Sequence, residues 1–288
     1  MTDTPTPYAI QLVRLIRVGL HLLQGVIIAG TVLRFAREPL HSRIIQSWSK
    51  KLLGIFGVEY HVHGPMPDLA MRGAVFVSNH VSWLDIWLLY TIRPVRFISK
   101  ADVRGWPVIG WLAEKCGTLF IHRERRHHTA AIIKQAEAAL ARGDCIGLFP
   151  EGTTTDGRRL LPFHASLFQA AVNRQAPIVL LTIRYLLPDG GIDTAPAYFG
   201  DLSLADSLRN VLARRRIRVE ATYLETLTIQ GKTRREIALI AESAIANHLN
   251  LPSPHKTPGI PADLRDAAPT ACPPTDNPYP VPHDGFLH

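Results

Sequence analysis

The longest charge-free apolar stretch of the chain lies near its start. From Val18 to Leu33 the residues run VGLHLLQGVIIAGTVL, with Arg14 and Arg17 before them and Arg34 and Arg37 after. A helix over 18–33 reaches about 24 Å, short of the roughly 30 Å hydrocarbon core of a bilayer. Arginines on both flanks are placed to meet anionic head groups. The stretch therefore reads as a helix embedded in one leaflet, with a single span and a buried core helix as alternatives. The arginines inside the apolar region argue against a cleaved leader. Residues 41–57 (HSRIIQSWSKKLLGIFG) then place apolar side chains at helical spacing, with Arg43, Lys50 and Lys51 on the other side. That pattern suits a basic interfacial helix.

Beyond residue 58 the period changes. AVFVS (74–78), VRFIS (95–99), TLFI (118–121), CIGLF (145–149), PIVLLTIRY (177–185) and RVEATYL (218–224) are short apolar runs that predict strands. His61 and His63 alternate on a further extended segment, and residues 128–142 and 232–249 predict helices. Runs apolar on both faces belong to a buried sheet covered by helices. The expected fold is α/β: a mixed, largely buried sheet flanked by helices, with membrane-associated helices at the N-terminus. The organisation predicted is helices over 1–57, an α/β domain over 58–250, and a tail over 251–288. The tail carries ten of the 22 prolines and no periodicity, as disordered segments do.

Charge narrows the partners. The net charge is +8 and the sequence pI about 9.7, so an anionic partner is expected. No stacking motif, zinc finger or helix-turn-helix spacing is present, which favours an anionic membrane surface over nucleic acid. Cys116, Cys145 and Cys272 form neither a CxxC pair nor a metal spacing, consistent with a reducing compartment. His61, His63, His122, His127 and His128 read as surface residues, and no metal site is expected. Gly231-Lys232-Thr233 lacks the earlier glycine of a phosphate loop, because Thr226 stands in its place.

Three motifs each follow an apolar strand. After AVFVS comes Asn79-His80-Val81-Ser82-Trp83-Leu84-Asp85. An imidazole can take the proton of an alcohol as its oxygen attacks a carbonyl, and a carboxylate on the other ring nitrogen fixes the tautomer. Ser82 and Asp85 equally form a capping box, S-x-x-D, which would explain the aspartate without chemistry. After TLFI comes His122-Arg123, and an arginine past a strand end can fork onto a phosphate or carboxylate. After CIGLF comes Phe149-Pro150-Glu151-Gly152-Thr153-Thr154, a stiffened turn with carboxylate, hydroxyl and backbone donors. If the strands run parallel, all three motifs gather at one sheet edge, where α/β proteins place their ligands.

These residues resemble the glycerolipid acyltransferases of the type that convert lysophosphatidic acid to phosphatidic acid. NHVSWLD matches that family's NHxSxxD block, GTLFIHR its second block, and FPEGTT its third, usually FPEGTR or FPEGTS. Ala176-Pro177-Ile178-Val179 resembles the fourth. The resemblance implies that His80 is the general base and Asp85 its orienting partner. It implies that Arg123, Glu151, Gly152 and Thr153, with Thr154 and Arg158 beside them, bind the acceptor's polar head. The implied reaction is acyl transfer from an acyl-CoA or acyl-carrier-protein thioester to a lysolipid acceptor, without a metal or other cofactor. The first acceptor expected is 1-acyl-glycerol-3-phosphate, at the cytoplasmic face of the inner membrane. Thr154 departs from the arginine of many phosphate-acceptor members, so Arg158 or Arg159 would have to supply the charge. The alternative is a branch acting on lyso-ornithine lipid or other lysolipids. A lipid hydrolase would need a nucleophile, and no G-x-S-x-G elbow occurs. A non-enzymatic basic membrane-binding protein is the rival of another class.

Overall fold

A computed structural model describes residues 6–68, 70–121 and 126–255. Its centre is a seven-stranded sheet in the order β1-β7-β6-β2-β5-β3-β4. The strands are β1 (Val58–His63), β2 (Val75–Ser78), β3 (Arg96–Lys100), β4 (Leu119–Ile121), β5 (Ile146–Leu148), β6 (Ile178–Leu186) and β7 (Ile217–Leu227). Strands β6, β2, β5, β3 and β4 run parallel; β7 opposes β6, and β1 follows β7 in parallel at the edge. The expected mixed sheet is thus present, and each predicted strand falls within a residue or two of an observed one at its start.

The pleat sorts apolar residues into two cores. Phe76, Val179, Leu181, Ile183 and Tyr185 face one core, while Val75, Val77, Ile178 and Leu180 face the other. The parallel centre is buried on both faces, which is why its strands read as continuous apolar runs. Helices α5 (Arg126–Ala141), α6 (Gln169–Arg174) and α8 (Arg234–Leu249) cover the second core. Thr233 and Glu236 form a capping box that starts α8 two residues later than the pattern predicts.

The first core is covered by α1 (Tyr8–Thr31), α2 (Leu40–Phe56), α3 (Leu84–Ile92), α4 (Ile109–Lys115) and α7 (Leu204–Ala213). Helix α1 is longer than the predicted 18–33 and takes in Arg14 and Arg17; its 24 residues span about 36 Å. Arg14 donates to the carbonyls of Arg214 and Arg215, so this charge is tied to the domain. Further along, His21 and Trp48 stack and each ring nitrogen bonds the other residue's carbonyl. Gly25 lies under the Trp48 ring, where a Cβ would approach to 2.8 Å. The opposite stripe of α1, from Leu12 through Ile16, Leu20 and Leu23 to Ile27, is exposed.

Helices α1 and α2 both contribute to this core, and Leu52, Leu53 and Phe56 of α2 are almost wholly buried in it. Each such side chain contributes about 1.5–3 kcal/mol, against a total stability of about 5–15 kcal/mol. At the other end, residues 251–255 turn back so that Ser253 and His255 bond Glu242 of α8. The rest of the proline-rich tail lies outside the described residues.

Candidate active site

Strands β2 and β5 are parallel neighbours, so the loops after them emerge side by side. The first carries His80 and the second runs from Phe149 to Phe163. The His80 Nδ1 stands 2.8 Å from Asp85 Oδ2. Since a carboxylate only accepts, Nδ1 carries the hydrogen, and in the neutral imidazole the lone pair is then on Nε2. The His80 side chain is 16% exposed, whereas Asp85 is fully buried.

Asp85 does more than face the imidazole. Its Oδ2 also accepts from the backbone N–H of Val81 (2.8 Å) and Ser82 (2.9 Å), and its Oδ1 accepts from the Tyr185 hydroxyl at 2.6 Å. The capping box expected of Ser82 and Asp85 is half realised. Asp85 reaches back to the Ser82 N–H, but Ser82 Oγ accepts from Leu84 rather than from Asp85. Histidine orientation and helix start are thus two uses of one carboxylate.

The loop after β5 holds His80 by its backbone and by one face of its ring. The His80 N–H donates to Glu151 Oε1 at 2.7 Å, and its carbonyl accepts from the Thr155 N–H at 2.9 Å. Its ring lies on the Phe149 ring at 3.9 Å, tilted by 9°. Glu151 Oε2 accepts from the Leu161 N–H at 2.9 Å. The residue expected to hold an acceptor head is therefore buried, with both oxygens on backbone amides. Burial pushes the Glu151 carboxyl up to about 8, against the pull of those two donors. Thr154 Oγ1 donates to the Tyr198 carbonyl, and the Tyr198 N–H returns to the Val81 carbonyl. Thr154 is likewise a brace.

The remaining sequence-predicted residues divide. Gly152 sits in a left-handed turn (φ 70°) closed by its N–H on the Phe149 carbonyl, a conformation that favours glycine. Thr153 and Arg158 are exposed at the rim. Arg123 lies outside the described residues; β4, which precedes it, is three strands from β2. Sequence reasoning missed Tyr185, Thr155 and the ring contact of Phe149. Asn79, quoted only as part of a motif, exchanges two hydrogen bonds with the Ile183 backbone and pins the β2 end to β6.

Next to His80 the surroundings turn apolar. Phe149 stacks on Phe97 (centroids 5.5 Å apart), and Phe97 lines a narrow cavity of about 90 Å³. Ile45, Trp48, Trp87, Leu112 and Cys116 line the same cavity.

Comparison with known proteins bears on this geometry. A family model described as Acyltransferase matches residues 59–184, the stretch that holds all three motifs. The lyso-ornithine lipid O-acyltransferase of Pseudomonas aeruginosa is 37% identical over 235 residues, covering 82% of this chain and 89% of that protein. A 1-acyl-sn-glycerol-3-phosphate acyltransferase of Neisseria gonorrhoeae is 31% identical over 183 residues, covering 64% of this chain and 71% of its own. The crystal structure of the 1-acyl-sn-glycerophosphate acyltransferase of Thermotoga maritima shares the fold. Its TM-score is 0.56 at 20% identity, over 82% of this chain and 96% of that one.

Proposed function

This chain belongs to the acyltransferase family, and from that premise we propose that His80 is the base of a direct acyl transfer onto a lysolipid hydroxyl. The acceptor O–H donates to His80 Nε2. As the proton leaves, the oxygen attacks the carbonyl carbon of an acyl thioester of coenzyme A or acyl carrier protein. The tetrahedral oxyanion collapses, the carbon–sulfur bond breaks, and the thiolate leaves and recovers a proton. Asp85 holds the Nδ1–H tautomer and stabilises the imidazolium formed midway. The observation that carries this reading is the His80 Nδ1–Asp85 Oδ2 contact of 2.8 Å, which leaves Nε2 free to accept. A positioned base contributes about 10²–10⁴-fold, and the remainder comes from holding the two substrates together.

Lyso-ornithine lipid is the acceptor favoured here. In sequence the relative of that name aligns over more of this chain, and at higher identity, than the gonococcal glycerophosphate relative does. Thr154, at the position where an arginine would meet a phosphate, donates its hydroxyl to Tyr198. 1-Acyl-glycerol-3-phosphate is the second reading, supported by the name of the gonococcal relative and by exposed Arg158 at the rim. The first few methylenes of the acyl chain would enter the apolar cavity of about 90 Å³ that begins two rings away from His80. The exposed apolar stripe of α1 docks on a membrane, at the cytoplasmic face where coenzyme A and carrier-protein thioesters are found.

The test is turnover of the full chain in detergent with a labelled acyl thioester and a panel of lysolipids, beside His80→Ala. Acylation of lyso-ornithine lipid by the wild type, with a loss of about 10³-fold or more in the variant, is expected. Retained turnover in the variant would overturn the base assignment. Acylation of lysophosphatidic acid alone would overturn the acceptor. For the membrane, Leu12→Asp with Leu20→Asp and Leu23→Asp should release the protein from sedimenting vesicles while leaving the fold intact.

A further inference from the structure

Asp85 receives its fourth hydrogen bond from outside every motif. Tyr185 lies on β6, a hundred residues further along the chain, and its hydroxyl meets Asp85 Oδ1 at 2.6 Å. The phenol is 2% exposed and packs in the core beneath α3. The opposite carboxylate oxygen, Oδ2, is the one that faces His80. The carboxylate thus bridges two side chains, an imidazole on one oxygen and a phenol on the other. Burial, and then the Asp85 charge beside it, raise the phenol far above its ordinary range, so the hydroxyl is a permanent donor.

We infer that Tyr185 is a positioning residue of the acyl transfer, which extends the His80–Asp85 pair into a three-member relay and sets how strongly the pair holds a proton. The inference rests on the reading of His80 as base. A donor on Oδ1 draws negative charge away from Oδ2 and puts the positive end of an O–H dipole toward the pair. Both effects weaken the hold of Asp85 on an imidazolium. The bond also fixes the carboxylate plane, which otherwise only the turn of residues 81–82 would hold. The charged and titratable groups facing Asp85 are His80 from its own loop, Tyr185 from β6 and Glu151 from the loop after β5.

Tyr185→Phe deletes one oxygen and keeps the ring, so the variant should fold. The measurement is kcat and KM of the full chain in detergent across pH 5–9, using whichever acceptor the wild type acylates. Tyr223→Phe serves as control, since it removes an equally buried phenol from β7. For Tyr185→Phe the acid limb of the rate profile should move to higher pH by about 0.5, with kcat at pH 6.5 down about two- to threefold and KM within about twofold. The control should leave the profile in place. A Tyr185→Phe profile that superposes on the wild type, whatever its Tm, would overturn the inference and leave Tyr185 a core residue. In that case an inactive His80→Ala variant shows that the base assignment still stands, whereas an active one removes both.

Discussion

Two loops leave adjacent parallel strands of this sheet, and they are used in opposite ways. The loop after β2 sends a side chain outward: His80 is the more exposed member of its pair, and among the described residues nothing engages its Nε2. The loop after β5 turns its side chains inward. Glu151, Thr154 and Thr155 are occupied with backbone groups of His80, Leu161 and Tyr198, and Phe149 lies flat against the imidazole. In sequence both loops look like clusters of polar residues ready for a substrate. In the fold one presents an imidazole and the other braces it, which is the division of labour that the proposed base mechanism needs. A motif that marks a site does not by itself say which of its letters touch the ligand.

The comparison is tested most severely at Asp85. Asp85→Asn preserves shape but must turn its NH₂ either toward the three donors now on Oδ2 or toward the Tyr185 hydroxyl, which then has to accept instead of donate. Turnover should fall by about 10²–10⁴-fold, and Tm should drop as well because a buried donor is left unpaired. A variant that loses Tm but keeps its rate would mean that Asp85 acts only as a helix-start residue.

Glu151 comes next, with a smaller effect on rate and a comparable one on stability. In Glu151→Gln an NH₂ group must face one of the two backbone donors, at a cost of about 1–3 kcal/mol. A tenfold loss of kcat with acceptor KM nearly unchanged is expected, because the residue acts through the position of His80. A rise in KM alone would restore the direct acceptor contact implied by the family resemblance. The pH dependence of folding offers a second handle. The folded carboxyl titrates near 8 and the unfolded one near 4.5. The folded protein therefore binds the extra proton between those values. Its stabilising contribution is present in acid and is lost as pH rises through about 8. Wild-type Tm should fall across that window by a few degrees more than the Tm of Glu151→Gln, measured by thermal melts.

Most of the architecture was legible because it follows from period and apolarity. The parallel strands are apolar on both faces, and the first and third motifs follow β2 and β5 as strand boundaries place them, while β4 ends at Ile121 and His122-Arg123 lie outside the described residues. What stayed hidden depends on pairing over long separations. Tyr185 reads as one more apolar residue of PIVLLTIRY until the register of β6 brings it under Asp85. Glu151 reads as a ligand because a carboxylate in a turn is usually solvated; only the packing of two loops reveals its backbone partners. The extent of α1 was misjudged for a related reason. Arg14 counts as a flank on a hydropathy scale, but a cation that bonds two carbonyls of its own domain need not leave the helix.

The smallest expected effect is at the rim, and it separates contact with substrate from support of His80. Arg158 is exposed, and among the described residues only its backbone N–H is engaged, on Asp156 Oδ1. Arg158→Ala should leave Tm and kcat unchanged, since removing an exposed guanidinium without a structural partner costs within about 0.5 kcal/mol. If the side chain meets an anionic head group, KM for that acceptor should rise about two- to fivefold, and the difference should shrink as salt is raised toward 0.5 M, where screening shortens to a few ångströms. A zwitterionic lyso-ornithine acceptor should feel the change less than lysophosphatidic acid does, so the same pair of titrations ranks the two acceptors. Equal KM values at every salt concentration would remove Arg158 from the site and leave head-group recognition to other parts of the rim.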